Sequence, residues 1–379
     1  MELTYDAVID NGLYVLSYYL SKDIKDITYE DIENNIDMMC DKIVDFFKCE
    51  KYANIKSMCF TNSVLTQKTD QTLAEKLKEF LKDKGDEYCA ICGKHHAKIH
   101  NDIGRSYILN TTAHTFYNFS NNLQGLNICP YCLILTMYAG LNFRVCSGLI
   151  TIYNTTNARF MKAYTKKVQK ENLEDIELKA SKSKDKHSST EYLEKLLKDG
   201  ILLKGNVEQY RFNNSGQGQE IEVNTFSNES VQLLNKLSKN ALLDEFKGLG
   251  LMWNVAHKNL SNVYLYKIYD FEKEELKSSK ELFDFLNIEV NKLDNKIVEL
   301  IKRMSIDLKN KDSKMDIRKI TSDIKTLNSF SNYDKLIINL KEDFDTKTEK
   351  SLFDVDEYVL LSDRRKWSSI KNLLLVSLI

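Results

Sequence analysis

Two pairs of thiols carry the most specific chemistry in the chain: Cys89-Ala-Ile-Cys92 and Cys129-Pro-Tyr-Cys132, with residues 93–128 between them. A two-residue gap lets both sulfurs of a pair reach one tetrahedral ion from a single turn, and two such turns complete a four-ligand shell. Gly93 follows the first pair, where a tight ligand turn favours a residue free to take positive φ. Pro130, the single proline of the chain, stiffens the second turn by fixing φ. Closing a loop of this length costs about 3 kcal/mol by the logarithmic loop-entropy rule. A structural zinc returns on the order of 10–16 kcal/mol in small peptides. The expected cofactor is therefore a structural Zn²⁺ on Cys89, Cys92, Cys129 and Cys132. Four thiolates leave no open coordination position, so the site braces a fold. His95, His96, His100 and His114 lie between the pairs, and any of them is an alternative ligand. Two readings without a metal also stand: four unligated thiols, or a redox dithiol.

The remaining chemistry is sparse. There is no phosphate-cradling G-x-x-x-x-G-K-[ST], no G-x-G-x-x-G, no G-x-S-x-G and no H-E-x-x-H. Cys40, Cys49, Cys59 and Cys146 sit among apolar neighbours and read as buried free thiols. The 379 residues carry 42% hydrophobic and 29% charged side chains and a net charge of −1. That balance fits a globular chain and excludes a uniformly basic nucleic-acid binder, so any such contact must come from local patches. No run reaches membrane-span length, and the acidic start has no cleavage-site pattern. A cytoplasmic chain with no membrane partner is expected.

Several elements must position the cysteine pairs. Residues 1–85 read mainly as helices, with apolar positions at helical spacing over 32–47 and 73–81. Between them, "IKSMCFTNSVL" (55–65) reads as a short buried strand. After Cys132, "LILTMYAGLNF" is apolar on nearly all sides, so the second pair leads into a buried helix. "GLITIYN" (148–154) reads as a strand, and "VEQYRF" and "EIEVNTF" flank a polar tip as a hairpin. Helices are expected over 229–258 and a strand over 262–271. Beyond residue 273, four apolar stripes (290–304, 317–327, 336–340 and 367–378) read as amphipathic helices. The expected fold class is α+β. It comprises a mixed N-terminal domain over 1–272, a four-cysteine zinc-binding module inserted at 86–147, and a C-terminal helical bundle over 273–379.

With the cysteine pairs in place, the chain resembles the CXXC–CXXC large subunits of type I-B CRISPR Cascade complexes. The resemblance rests on "NGLYVLSYYL", "CFTNSVL", "CAIC", "NICPYC" with its apolar helix ending in Gly140, "SGLITIYN", and the terminal "RRKWSSIKNLLLVSLI". It covers much of the first 155 residues and thins afterwards. It implies a non-enzymatic prokaryotic, cytoplasmic subunit in a crRNA-guided surveillance complex. The implied partners are crRNA-bound Cascade backbone subunits, the crRNA, target double-stranded DNA and a helicase–nuclease. The implied work is recognition of a motif beside the protospacer and the start of strand separation. The chain is short for such a subunit, which points to a reduced bundle or a separate small subunit as a further partner.

Base pairing to a guide reads the sequence in such complexes, so the protein needs backbone contacts and a short motif reader. Arg159, Lys162, Lys166 and Lys170 recur at helical spacing and, with Lys167, suit phosphate contact. Over 159–186 there are nine Lys/Arg against five Asp/Glu. The hairpin tip Asn213, Asn214, Gln217 and Gln219 offers amides that donate and accept in a groove. Arg364 and Arg365, with Lys366, form a third candidate at the start of the last helix, where cations oppose the dipole. Each of these also reads as an ordinary solvated surface. Two other functions compete. One is an HNH/ββα-type metal-dependent nuclease, with His95–His96 or His114 activating water and Asn121 or Asn127 on the ion. The other is a zinc-stabilised protein-interaction scaffold.

Overall fold

The computed structural model describes residues 1–59, 71–82, 85–97, 128–181, 190–213, 220–256, 260, 267–270, 273 and 275–378. The chain divides into two units, Met1–Asn235 and Lys236–Ile379. The fold class is α+β: helices dominate both units, and the first carries a four-stranded antiparallel sheet.

In the first unit the helices are α1 (Ala7–Leu20), α2 (Tyr29–Asn34), α3 (Ile36–Lys48), α4 (Ala53–Cys59) and α5 (Leu73–Lys82). A two-residue pair comes next, β1 (Glu87–Tyr88) with β2 (His96–Ala97), and then α6 (Pro130–Ala139). The sheet strands are β3 (Arg144–Cys146), β4 (Leu149–Asn154), β5 (Val207–Asn213) and β6 (Glu220–Phe226), in the order β3-β4-β5-β6. Helices α7 (Ala158–Glu177) and α8 (Glu191–Lys198) lie between β4 and β5, and α9 (Asn228–Lys239) crosses the division between the units.

Helix α1 is the axis of this unit. Asp6 caps it by accepting from the Val8 and Ile9 amides, and every residue from Ala7 to Ser17 is buried. It packs chiefly on α6, and Gly12 makes that approach possible. A Cβ there would stand 2.0 Å from the Leu135 carbonyl oxygen, on backbone that cannot swing aside. Ile9, Leu13 and Leu16 join Met39, Ile43, Phe46, Leu133, Leu135, Ile150 and Phe212 in one core. The apolar faces that meet here come from α1, α3, α6 and the sheet.

The turn after α6 ties that helix to α7 through buried polar groups. Gln169 donates to the Leu141 carbonyl at 3.0 Å and to Asn142 Oδ1 at 2.9 Å, and Asn172 donates to the Leu141 carbonyl at 2.8 Å. Arg144 on β3 donates through Nη2 to the Val168 carbonyl at 2.8 Å and to Asn172 Oδ1 at 2.5 Å, and through Nε to the Tyr192 hydroxyl at 2.9 Å. Its guanidinium lies 5.2 Å from the Tyr52 ring and 5.7 Å from the Tyr192 ring. The two phenols donate onward to Asp175 and Glu171, so the buried cation faces its carboxylates through tyrosines.

The strand expected over 55–65 is helical in its described part. Ala53–Cys59 forms α4, with Ile55 and Cys59 buried against its neighbours, and 60–65 lie outside the described residues. A short apolar run cannot be assigned by period alone, and packing decided it. The expected strand at 148–154 and the hairpin arms are present as β4, β5 and β6, with Ile152 opposite Tyr210 and Tyr210 opposite Val223. Cys40, Cys49, Cys59 and Cys146 are buried free thiols.

The second unit contains α10 (Leu243–Gly248), α11 (Met252–Ala256), the pair β7 (Tyr269–Asp270) with β8 (Glu275–Leu276), and α12 (Lys280–Glu289). Helices α13 (Asn295–Lys309), α14 (Ile317–Thr326), α15 (Phe330–Thr348), α16 (Val355–Leu361) and α17 (Trp367–Leu378) complete it. The apolar stripes expected beyond 273 fall on α13, α14, α15 and α17. The first stripe breaks at its start, because Asp294 caps α13 by accepting from Lys296 N and leaves Val290 at the end of α12. Helices α12 and α16 had no separate stripe in the sequence. Of the strand expected over 262–271, only Tyr269–Asp270 is extended among the described residues. The division at 235/236 lies upstream of the 272/273 boundary read from sequence. Segment 236–270 is tied to α12 and its N-cap: Lys236 pairs with Glu289 at 2.7 Å, and Glu245 accepts from the Ser279 hydroxyl at 2.7 Å. No helix among the described residues is long and apolar enough to cross a membrane.

Candidate metal centre

The two cysteine pairs meet. Cys89 and Cys92 occupy the turn after β1, while Cys129 caps α6 and Cys132 lies in its first turn. All four sulfurs stand within 4.8 Å of one another, with Cys89 to Cys132 at 3.9 Å and Cys92 to Cys129 at 3.7 Å. A tetrahedral ion with metal–sulfur bonds of about 2.3 Å needs sulfur–sulfur edges of about 3.8 Å. Two edges match that length and all lie within 4.8 Å, so the four cysteines could hold one ion.

Local backbone structure explains why the sulfurs converge. The Cys89 amide donates to the His95 carbonyl at 2.8 Å and the Gly93 amide to the Cys89 carbonyl at 2.9 Å, closing the first turn. Gly93 takes φ +62°, as a left-handed turn position favours. In the second turn, Cys129 has extended φ/ψ and its sulfur accepts from the Cys132 amide at 3.5 Å. Pro130 is the first helical residue, where a missing N–H costs nothing because no intrahelical partner exists there. The proline thus starts a helix and stiffens a ligand turn in one position. The Cys129 amide also donates to Cys89 Sγ at 3.3 Å, a bond that favours thiolate over thiol.

Cys89, Cys129 and Cys132 are buried and Cys92 is half-buried. Without a cation the four sulfurs compete for protons. The Cys92 thiol is lowered to about 6, first through its hydrogen bond with Cys129, and Cys89 is lowered too, again first through Cys129. Cys132 is pushed up, first because it serves Cys129 as a hydrogen-bond donor. Four neighbouring thiolates repel one another, so full deprotonation needs a positive charge among them. A divalent ion supplies it, and metal binding and proton release are coupled.

His95 does not join this set. His95 turns its ring to Tyr29 and Tyr131, with centroids 4.2 Å and 4.9 Å away. Burial holds its imidazole below the ordinary value. His96 lies in β2, and His100, His114, Asn121 and Asn127 lie outside the described residues. Helix α6 after Cys132 is apolar and buried, matching the expected buried helix.

The structure places Arg159, Lys162, Lys166, Lys167 and Lys170 on α7. Arg159, Lys162, Lys166 and Lys170 are exposed, and Lys167 is half-buried. Lys162 pairs with Asp23, and Lys167 pairs with Asp199 at 2.5 Å. Among the described residues, Arg159, Lys166 and Lys170 have no carboxylate partner. The inner face of the helix buries Phe160, Met161, Tyr164, Val168, Gln169 and Asn172, so the cations hold the opposite side. Asn213 ends β5, and Asn214, Gln217 and Gln219 lie outside the described residues. Arg364 and Arg365 are exposed in the turn before α17, where Asp363 Oδ1 accepts from the Arg365 amide at 2.8 Å.

Sequence reading missed three features. Gly12 lets α1 approach α6 and Arg144 ties β3 to α7 and α8, and neither has a spacing signal. A polar cavity lies between α1 and the sheet, built by residues far apart in the chain. No protein-family model matches the chain, and no curated protein matches it either.

Proposed function

We propose that the chain is a non-catalytic, zinc-braced subunit of a crRNA-guided complex of the type I-B Cascade kind, binding duplex DNA beside the protospacer. The observation that carries this reading is the exposed cationic face of α7. Four of its five basic residues lie in the N-terminal half of the helix, and Glu171, Glu174, Asp175 and Glu177 end the C-terminal half after Lys170. The helix macrodipole favours the reverse order. A charge order that opposes its own helix is better accounted for by an external polyanion than by helix stability. Lysine and arginine on one face suit phosphate contact, which positions a duplex without reading it.

Zinc is the proposed ion because four thiolates in a tetrahedral, closed shell suit its softness and lack of geometric preference. Bound there, it would cross-link the β1–β2 turn to α6 and leave chemistry to partners. The exposed Arg364 and Arg365 belong to the helical second unit, which in this reading follows the displaced strand and recruits the helicase–nuclease.

The test is purification with crRNA and backbone subunits, then binding of target duplex across a salt series. Wild type is expected to bind with a steep negative salt dependence. Arg159→Glu/Lys166→Glu/Lys170→Glu is expected to weaken binding on every sequence alike. Unchanged binding by the triple variant, or recovery from the native host as a lone protein free of RNA, overturns the reading. Zinc is checked by elemental analysis, with one equivalent expected per chain.

A further inference from the structure

Between the start of α1 and one end of the sheet lies a cavity of about 290 Å³, lined by Asp10, Asn154, Thr155, Asn206 and Glu208 under the loop Leu3–Tyr5. Asn154 and Glu208 are directly opposed across β4 and β5. The side chains around it come mainly as acceptors. Asp10 is 1% exposed and faces no cation among the described residues; burial pushes its carboxyl up to about 6. It accepts from the Thr4 amide at 2.8 Å, the Thr4 hydroxyl at 2.9 Å and the Tyr5 amide at 3.0 Å. Those bonds hold Tyr5 at φ +62°, a strained value for a tyrosine, and so fix the rim. Glu208 accepts from the Tyr210 hydroxyl at 2.8 Å and has no ion-pair partner among the described residues.

Asn154 is the independent sign of a ligand. The residue is 9% exposed, lines the cavity, and its side chain has no hydrogen-bond partner among the described residues. The amide opens into the cavity beside two carboxylates and is not committed to any of the described residues there, so it is free to bind a ligand.

We propose that this cavity binds an organic cation, a guanidinium or ammonium group on a short alkyl stem. Glu208 would supply the countercharge, and the Asn154 carbonyl oxygen would accept one N–H. A bare divalent ion fits worse. Calcium needs six to eight oxygens in close contact, whereas Asp10 and Glu208 are the only carboxylates facing this space among the described residues, and Asp10 already accepts three hydrogen bonds. The volume also suits a group of several heavy atoms. The same chemistry comes from a free alkylamine or from an Arg or Lys side chain of a partner protein. This site is independent of the α7 face, so its failure leaves the nucleic-acid reading intact.

The experiment is calorimetric titration of the full chain with butylguanidinium, with butylurea as the neutral near-isostere and with CaCl₂. Butylguanidinium is expected to bind and butylurea to fail. Glu208→Gln keeps the shape and the Tyr210 contact, and is expected to weaken binding by about tenfold or more. Asn154→Ala is expected to weaken it by a smaller factor, with thermal unfolding confirming that both variants fold. Absence of butylguanidinium binding, equal binding of butylurea, unchanged affinity in Glu208→Gln, or competition by calcium at lower concentration each overturns the site. An acetylated Gly-Arg-Gly amide separates the sources. Tighter binding of this peptide than of butylguanidinium points to a partner side chain, and weaker binding points to a free amine.

Discussion

The cysteine centre and the cationic face of α7 sit in the same unit and are built on opposite principles. The first is a closed constellation: four sulfurs, two stiff turns and a capped helix converge on one point. The second is an open row of charge on one side of a helix, held on its outside, among the described residues, by the Lys162–Asp23 and Lys167–Asp199 pairs. Its geometry comes from the inner side, where Gln169 and Asn172 bind the turn that comes after α6. The two are linked in series, because the cysteine-bearing helix α6 leads directly into the turn that orients α7. The difference teaches where a mutation should act. Damage to the centre should propagate to the face, whereas damage to the face should stay local.

The largest effect is expected from Cys129→Ser. It removes a thiolate ligand and the sulfur contact with Cys92, while the serine hydroxyl can still cap the Cys132 amide. Loss of the proposed structural zinc would withdraw much of a binding energy on the order of 10 kcal/mol. The variant should carry substoichiometric metal and be insoluble or strongly destabilised, and prolonged chelation of wild type should do the same. Elemental analysis with thermal unfolding reads both. Well-folded wild type without bound metal would remove the brace from this comparison.

Arg144→Met comes next and tests the link in series. It leaves the Asn172 and Tyr192 acceptors and two backbone carbonyls without their donor and opens the path from β3 to α7. Removing one member of a buried charge network costs about 3–5 kcal/mol. The expected outcome is a lower unfolding midpoint with metal content retained. Loss of metal in step with stability would show that the centre depends on α7, reversing the proposed order. Gly12→Ala should rank third at about 1–3 kcal/mol from overpacking, since its Cβ meets the Leu135 backbone at 2.0 Å. Denaturant unfolding measures it, and a neutral result would mean that α1 and α6 can separate at little cost.

Legibility in the sequence divided along the same line. Covalent spacing announces a closed metal site, so Cys89, Cys92, Cys129 and Cys132 could be grouped before any fold was known. Strands with sustained alternation, such as Val207–Asn213, were equally plain. Ile55–Cys59 was not, because a short apolar run satisfies both periods and only its neighbours decide between them. Arg144 and Asn154 carry no pattern at all. Their roles arise when chain segments far apart in sequence are brought together, as with Asn154 opposite Glu208. Gly12 was equally silent, since a close helix approach is a property of two helices.

The smallest effect on stability is expected where the effect on binding should be most selective. In Arg159→Glu/Lys166→Glu/Lys170→Glu, three exposed cations without carboxylate partners among the described residues are reversed. Exposed substitutions of this kind usually stay within about 0.5 kcal/mol each. The reversal near the α7 N-terminus even aligns charge with the helix dipole, so unfolding should move little and Arg159→Glu alone should slightly raise the midpoint. Duplex binding should fall uniformly across sequences, and its salt dependence should flatten by up to about three counterions. The brace and the face then separate in one pair of measurements, since Cys129→Ser lowers metal, stability and binding together. If the triple variant also loses metal or unfolds, the face is part of the brace and the two regions are one structure.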